Sequence, residues 1–223
     1  MNRLIISFML YLFLAACNKE KLVYERVYFE FEMPFSISPG KDTVKVGDTL
    51  TIKSSLSDSL FEYRTQKKYY LPDFNFQNYI SLYQLTDSGK YLGNQPIADK
   101  KFKFFSKDGR YVGGDGQFVD LPFVYANHRY VHESYFIPQV PGVYTFFMGL
   151  FYNGSQGYLN LPQELAPNEP GIKRFPVIQY VRYKINEGQT HYDELFLQHC
   201  KRFGGDTIKQ LNPRFVNYTF VVK

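Results

Sequence analysis

From Val27 to Glu32 the side chains alternate without a break: Val27, Phe29 and Phe31 on one parity, Tyr28, Glu30 and Glu32 on the other. Successive residues of a strand point to opposite faces, so this segment reads as a strand with one face buried. The chain carries 22 Phe and 20 Tyr but no Trp. Such rings suit a pleated, half-buried surface and cover large areas. The pattern recurs along the chain. Val44 and Val46 are separated from Leu50 and Ile52 by Gly47-Asp48, which reads as strand, tight turn, strand. Tyr79–Leu85, Phe102–Phe105, Phe118–Tyr125, Arg129–Ile137, Val143–Tyr152, Phe175–Ile185 and Phe215–Val222 complete the set. Asp108-Gly109, before Tyr111-Val112, gives a hairpin signal. Short strands at this spacing predict a mainly β fold of the sandwich type.

One helix is expected among them. Thr190 and Asp193 imitate a capping box, and Tyr192, Leu195, Phe196, His199 and Phe203 form one apolar stripe before Gly204-Gly205. It should pack on the sheets near the C-terminus.

The run Val44-Lys45-Val46-Gly47-Asp48-Thr49-Leu50-Thr51-Ile52 resembles the second-strand region of bacterial immunoglobulin-like domains. Pro141 to Phe146 resembles their penultimate strand and Tyr218 to Val222 their closing strand. The resemblance implies an immunoglobulin-like antiparallel β-sandwich, regular at its start and end and elaborated by insertions between, over residues 25–223.

At the amino end Arg3 precedes an apolar run, Leu4 to Leu14, which closes in Leu14-Ala15-Ala16-Cys17. This order of charge, apolar stretch and small residues is that of a secretory signal. The four residues up to Cys17 resemble the lipobox of bacterial lipoproteins. That resemblance implies a signal peptide over 1–16, acylation of Cys17, a lipidated tether over 17–24 and attachment to the membrane through the lipid. The run is about half the roughly 20 apolar residues that a membrane-spanning helix needs. Asn18 in place of Asp favours the outer membrane in the sorting pattern the resemblance implies, and either side of that membrane stays open.

The basic residues, net +5, are dispersed and form no run suited to nucleic acid. Only Cys17 and Cys200 are present, so with Cys17 acylated no disulfide forms within the chain. There is no nucleophile elbow, phosphate loop or His-Glu-x-x-His. His128 and His132, with Glu133, would stand about 13 Å apart on a strand at ~3.3 Å per residue, too far for one ion. His191, Glu194, His199 and Cys200 lack a visible third partner for acid–base work. Asp108, Asp115 and Asp120 read as turn residues. No catalytic residue, metal or cofactor is expected.

Two insertions are hard to read as core. One, Phe61 to Phe76, is rich in Tyr and Phe; the other, Tyr152 to Arg174, is long and proline-bearing. Tyr69, Tyr70 and Tyr158 in them are the candidate ligand-binding rings, since tyrosine offers an apolar face and a polar tip. The functional expectation is a non-enzymatic, lipid-anchored envelope protein that binds a glycan or an envelope protein. The alternatives are a structural subunit of an outer-membrane assembly and an envelope hydrolase.

Overall fold

The computed structural model describes residues 22–86, 90–91, 95–107, 118–150, 158–188, 194–201 and 217–223. They fall in two compact units. The smaller takes the residues up to Tyr28 together with Asn160–Val177, the larger Phe29–Leu159 and Ile178–Lys223. Among the described residues no helix is long and apolar enough to cross a membrane. The residues of the signal and Cys17 lie outside those described.

The fold is mainly β, with two large sheets. The larger contains β1 (Val23–Ser38), β3 (Leu50–Ser57), β4 (Ser59–Glu62), β5 (Lys67–Tyr70), β8 (Phe102–Ser106), β10 (Val124–Ala126), β11 (Arg129–Pro138), β13 (Leu159–Asn160) and β14 (Ile172–Ile185). Its main order is β10-β11-β3-β1-β14-β13, with β8 on β11 and the β4–β5 hairpin on β1. The second has the order β2-β16-β12-β6-β9: β2 (Thr43–Val44), β16 (Asn217–Val222), β12 (Gly142–Leu150), β6 (Asn78–Leu85) and β9 (Val119–Leu121).

The alternation that predicts β1 does bury Phe29, Phe31, Met33, Phe35 and Ile37. Inside the larger unit the two sheets meet through rings. Phe102 of β8 stands edge-on to Tyr144 of β12 at 4.9 Å, and Phe136 of β11 meets Phe146 of β12 at 5.1 Å. Phe220 of β16 lies 5.1 Å from Phe146. Edge and tilted contacts of this kind suit the ring quadrupole and add to plain area burial.

Several expectations are corrected. The helix expected over Thr190 to Phe203 is not formed. Among the described residues there is only α1 (Glu194–His199), six residues long. Cys200 and Lys201 turn extended instead and form β15, parallel to β7 (Lys90–Tyr91), so their backbone groups serve a ladder rather than another helical turn. α1 still contributes Phe196, which packs with Leu85 among Tyr83, Val143 and Phe147. Nor are the sheets wholly antiparallel: β16 runs parallel to β2. The Gly47 turn does not close a hairpin either. Gly47, at φ +86, carries the chain from β2 in one sheet to β3 in the other, and Lys45 N–H donates to Asp48 Oδ2 at 2.8 Å. The Asp108-Gly109 hairpin lies outside the described residues, and β8 pairs with β11.

In the smaller unit, Arg174 donates to Glu25 at 3.1 Å and to Glu169 at 2.5 Å. Val23 N–H donates to Gly171 O, and Tyr24 stacks on Phe175 at 6.0 Å.

Candidate functional site

A groove of about 690 Å3 opens in the larger unit where β1 and β3 part. The two strands pair over Ser36↔Lys53 to Ser38↔Thr51, and the next pairing on that edge of β1 is Phe31↔Glu62 of β4. From Ser36 back to Phe31 is five residues; from Lys53 on to Glu62 is nine. The facing chain therefore carries an excess that β1 cannot match. β3 uses it to stay with β11, pairing from Leu50↔Phe136 to Ser57↔Arg129. Pro34 sits at the point of divergence, and proline has no N–H to give a ladder. A side chain serves the backbone group left at the seam: Ser54 Oγ donates to Pro34 O at 2.6 Å. Within the paired stretch, Asn186 Oδ1 accepts Ile37 N–H at 2.8 Å. Asn186 and Glu187 hold positive φ just beyond the end of β14, in a turn that helps line the groove.

The lining alternates in charge. Lys53 Nζ lies 2.9 Å from Glu133 Oε1, and Lys107 Nζ 3.6 Å from its other oxygen. Tyr135 hydroxyl donates to Glu133 Oε1 at 2.8 Å. The hydrogen bond from Lys53, with that from Tyr135, holds the Glu133 carboxyl below its ordinary pKa, and the same bond raises the Lys53 ammonium. Lys184 pairs with Glu32 at 2.6 Å on the same face. Ser36 and Ser55 supply hydroxyls, and Pro34 and Phe35 an apolar part. The arrangement offers donors and acceptors side by side along a shallow cleft.

His132 belongs to the floor and not to a metal site. It is buried; its Nδ1 stands 2.8 Å from Pro122 O and its Nε2 2.9 Å from Ser134 Oγ. A carbonyl only accepts, so Nδ1 carries the hydrogen and Nε2 takes the serine hydroxyl. Burial lowers the pKa of this ring, in keeping with the neutral form. His128 is elsewhere. It occupies the turn between β10 and β11, where Asn127 and His128 both have positive φ. Its Nδ1 lies 2.9 Å from Asp58 Oδ2, which also accepts the Tyr125 hydroxyl at 2.8 Å. Burial works to raise the Asp58 pKa, but these two bonds outweigh it and the net shift is downward. Asp58 with His128 is a pair that sequence spacing could not reveal, because seventy positions separate them. Among the described residues no group of three His, Cys, Asp or Glu could hold a metal.

The three candidate tyrosines do not behave alike. Tyr69 is half-buried, edge-on to Phe29 at 5.1 Å. Tyr70, its neighbour on β5, points the other way and is 57% exposed. Tyr158 is buried, at 8% exposure. His191, Asp108 and Asp115 lie outside the described residues, and so do the side chains of Glu194 and Cys200. The groove was missed because its signal is a difference of register between strands far apart in sequence.

No family model matches the chain, and no curated protein matches it. Among solved structures it is similar to the CupB6 tip adhesin from Pseudomonas aeruginosa, at 10% identity over 70% of this chain, with a TM-score of 0.24. The chain spans 42% of the length of that adhesin chain.

Proposed function

We propose that this chain is a lipid-anchored protein of the cell envelope, with an immunoglobulin-like β-sandwich that binds a polyhydroxylated ligand, a glycan, without chemistry. The observation that carries the reading is the groove at the β1–β3 seam. Sugar hydroxyls donate and accept at once. The groove sets ammonium groups (Lys53, Lys184), a carboxylate (Glu133) and serine hydroxyls (Ser36, Ser55) within one cleft beside the Pro34 ring. Binding sites commonly join a few placed polar groups to an apolar wall. The anchoring part rests on the lipobox at Leu14 to Cys17.

Ser55→Phe should fill the groove from an exposed position and leave the core untouched. On a glycan array, the membrane-extracted protein should bind, and the Ser55→Phe variant should bind at least tenfold more weakly with its melting temperature unchanged. Full binding by the variant would move the site elsewhere.

A second reading, a subunit of an outer-membrane assembly, draws on a different observation. Val124 at 68% and Tyr70 at 57% are among the most exposed large apolar side chains of the larger unit. A contact with another protein would cover such residues.

A further inference from the structure

The smaller unit ends in a cluster of exposed apolar side chains at the start of β1. Leu22 is 55% exposed, Tyr24 66% and Phe175 37%, while Val23 points to the other face of the strand. Tyr24 and Phe175 are stacked on one another, and Lys173 Nζ stands 5.6 Å over the Phe175 ring. Water-facing surfaces rarely gather this composition, but membrane interfaces favour it: amphipathic rings at headgroup level with lysines that extend toward phosphate. The chain length names the occupant. Leu22 follows Cys17 by five residues, which span at most about 18 Å when fully extended. A lipid on Cys17 therefore holds the start of β1 within that reach of the headgroups. The intervening Lys19-Glu20-Lys21, net +1, and Lys173 add positive charge beside an anionic surface.

From this we infer that Leu22, Tyr24 and Phe175 form a second membrane contact, which seats the smaller unit in the bilayer interface beside the lipid. The inference rests on the acylation of Cys17 proposed above. The seat would fix the orientation of this unit, where a lipid on a free tether would leave it swivelling.

The chain has no tryptophan, so one introduced residue makes a single fluorescent reporter. The test uses the lipidated full chain in vesicles of phosphatidylethanolamine and phosphatidylglycerol doped with lipid brominated on its acyl chains. Tyr24→Trp should shift to the blue and lose about half its emission to the bromines, as an indole at the interface would. The same variant in vesicles without brominated lipid sets the unquenched emission. Partition into detergent, with Cys17→Ser as the comparison, reports acylation independently. If the protein partitions like a lipoprotein but position 24 remains unquenched, the second contact is refuted and the anchor stands. If Cys17→Ser partitions as fully as the parent, the acylation itself is refuted, and this inference with it. Cross-linking of two copies through position 24, with that position unquenched, would assign the cluster to self-association and overturn the membrane contact.

Discussion

Glu62 offers the most exacting test of the structure. It is fully buried at the end of β4, facing Phe31. Its Oε1 accepts Glu30 N–H at 2.9 Å, and its Oε2 accepts both the N–H and the hydroxyl of Thr65 at 2.6 Å. Burial works to raise the carboxyl pKa, but the donors from Thr65, Glu30 and Arg64 outweigh it, and the net shift is downward. Glu62→Gln keeps the shape and one acceptor. Whichever way the amide turns, an NH2 group meets an N–H or a hydroxyl, so at least one buried donor loses its partner. An orphaned buried donor costs about 1–3 kcal/mol, and the remaining bonds lose their charge assistance. Relief of the buried charge offsets part of this. The expected net loss is about 2–3 kcal/mol at pH 7, or about 5–10 °C in melting temperature for a chain of this size. The sign of the pH dependence follows from the lowered pKa. The carboxylate's contribution is present above the ordinary Glu value of about 4.3 and is lost as pH falls through the lower folded value. The gap between parent and variant in urea midpoint should therefore narrow on acidification toward pH 3, with unchanged slopes. Equal midpoints at pH 7, or a gap that does not depend on pH, would refute the hydrogen-bonding geometry of this turn.

Arg182→Met should cost about 3–5 kcal/mol in urea unfolding, because Glu30, 3% exposed and 2.5 Å from that guanidinium, would be left buried without its ion pair. Arg182→Lys should rescue little, since the guanidinium carbon lies 3.3 Å from the centre of the Tyr63 ring and an ammonium lacks the planar face that stacks there. Phe146→Ala should cost about 3–5 kcal/mol by thermal denaturation, because Phe146 is fully buried among Phe136, Phe220, Phe102 and Tyr218.

What could be read from sequence follows the range of the signal. Period-two alternation is local, so β1, β6, β11, β12, β14 and β16 were all legible, with ends displaced by a few residues. Pairing is not local. Gly47-Asp48 gives a turn signal whether or not its two strands pair, and here they enter different sheets. The β4–β5 hairpin overlaps an insertion that was hard to read as core, because its four-residue strands carry lysines, serine and glutamate and alternate only weakly. The apolar stripe near the C-terminus was also misleading. Phe196 does bury one helical face, but β7 claims the backbone two residues beyond α1 begins to close its second turn. Of the candidate rings, alternation could have separated Tyr69 from Tyr70, since adjacent residues of a strand face opposite ways. The burial of Tyr158 depends on contacts remote in sequence.

The groove follows from one local cost. If β1 and β3 had kept register past Ser36, the outer face would be a flat ladder of Lys53, Ser55, Glu133 and Val131, with every backbone group paired. The chain instead places a proline at the seam and runs nine residues against five. Backbone groups left without a ladder inside a sheet are costly unless something else meets them. The Ser54 hydroxyl meets one of them, the Pro34 carbonyl. The β4–β5 hairpin that results puts Glu62 against Glu30 N–H, and Tyr63 covers the Arg182 that pairs with Glu30. One stretch of the outer face thus becomes covered and charged within, and the adjoining stretch stays open and concave. Covering a core does not require that division, since a regular ladder would bury the same inward residues. What it produces is an open, concave stretch lined by Lys53, Ser55 and Glu133, and this makes the seam, rather than the exposed ring of Tyr70, the place where the proposed glycan is sought.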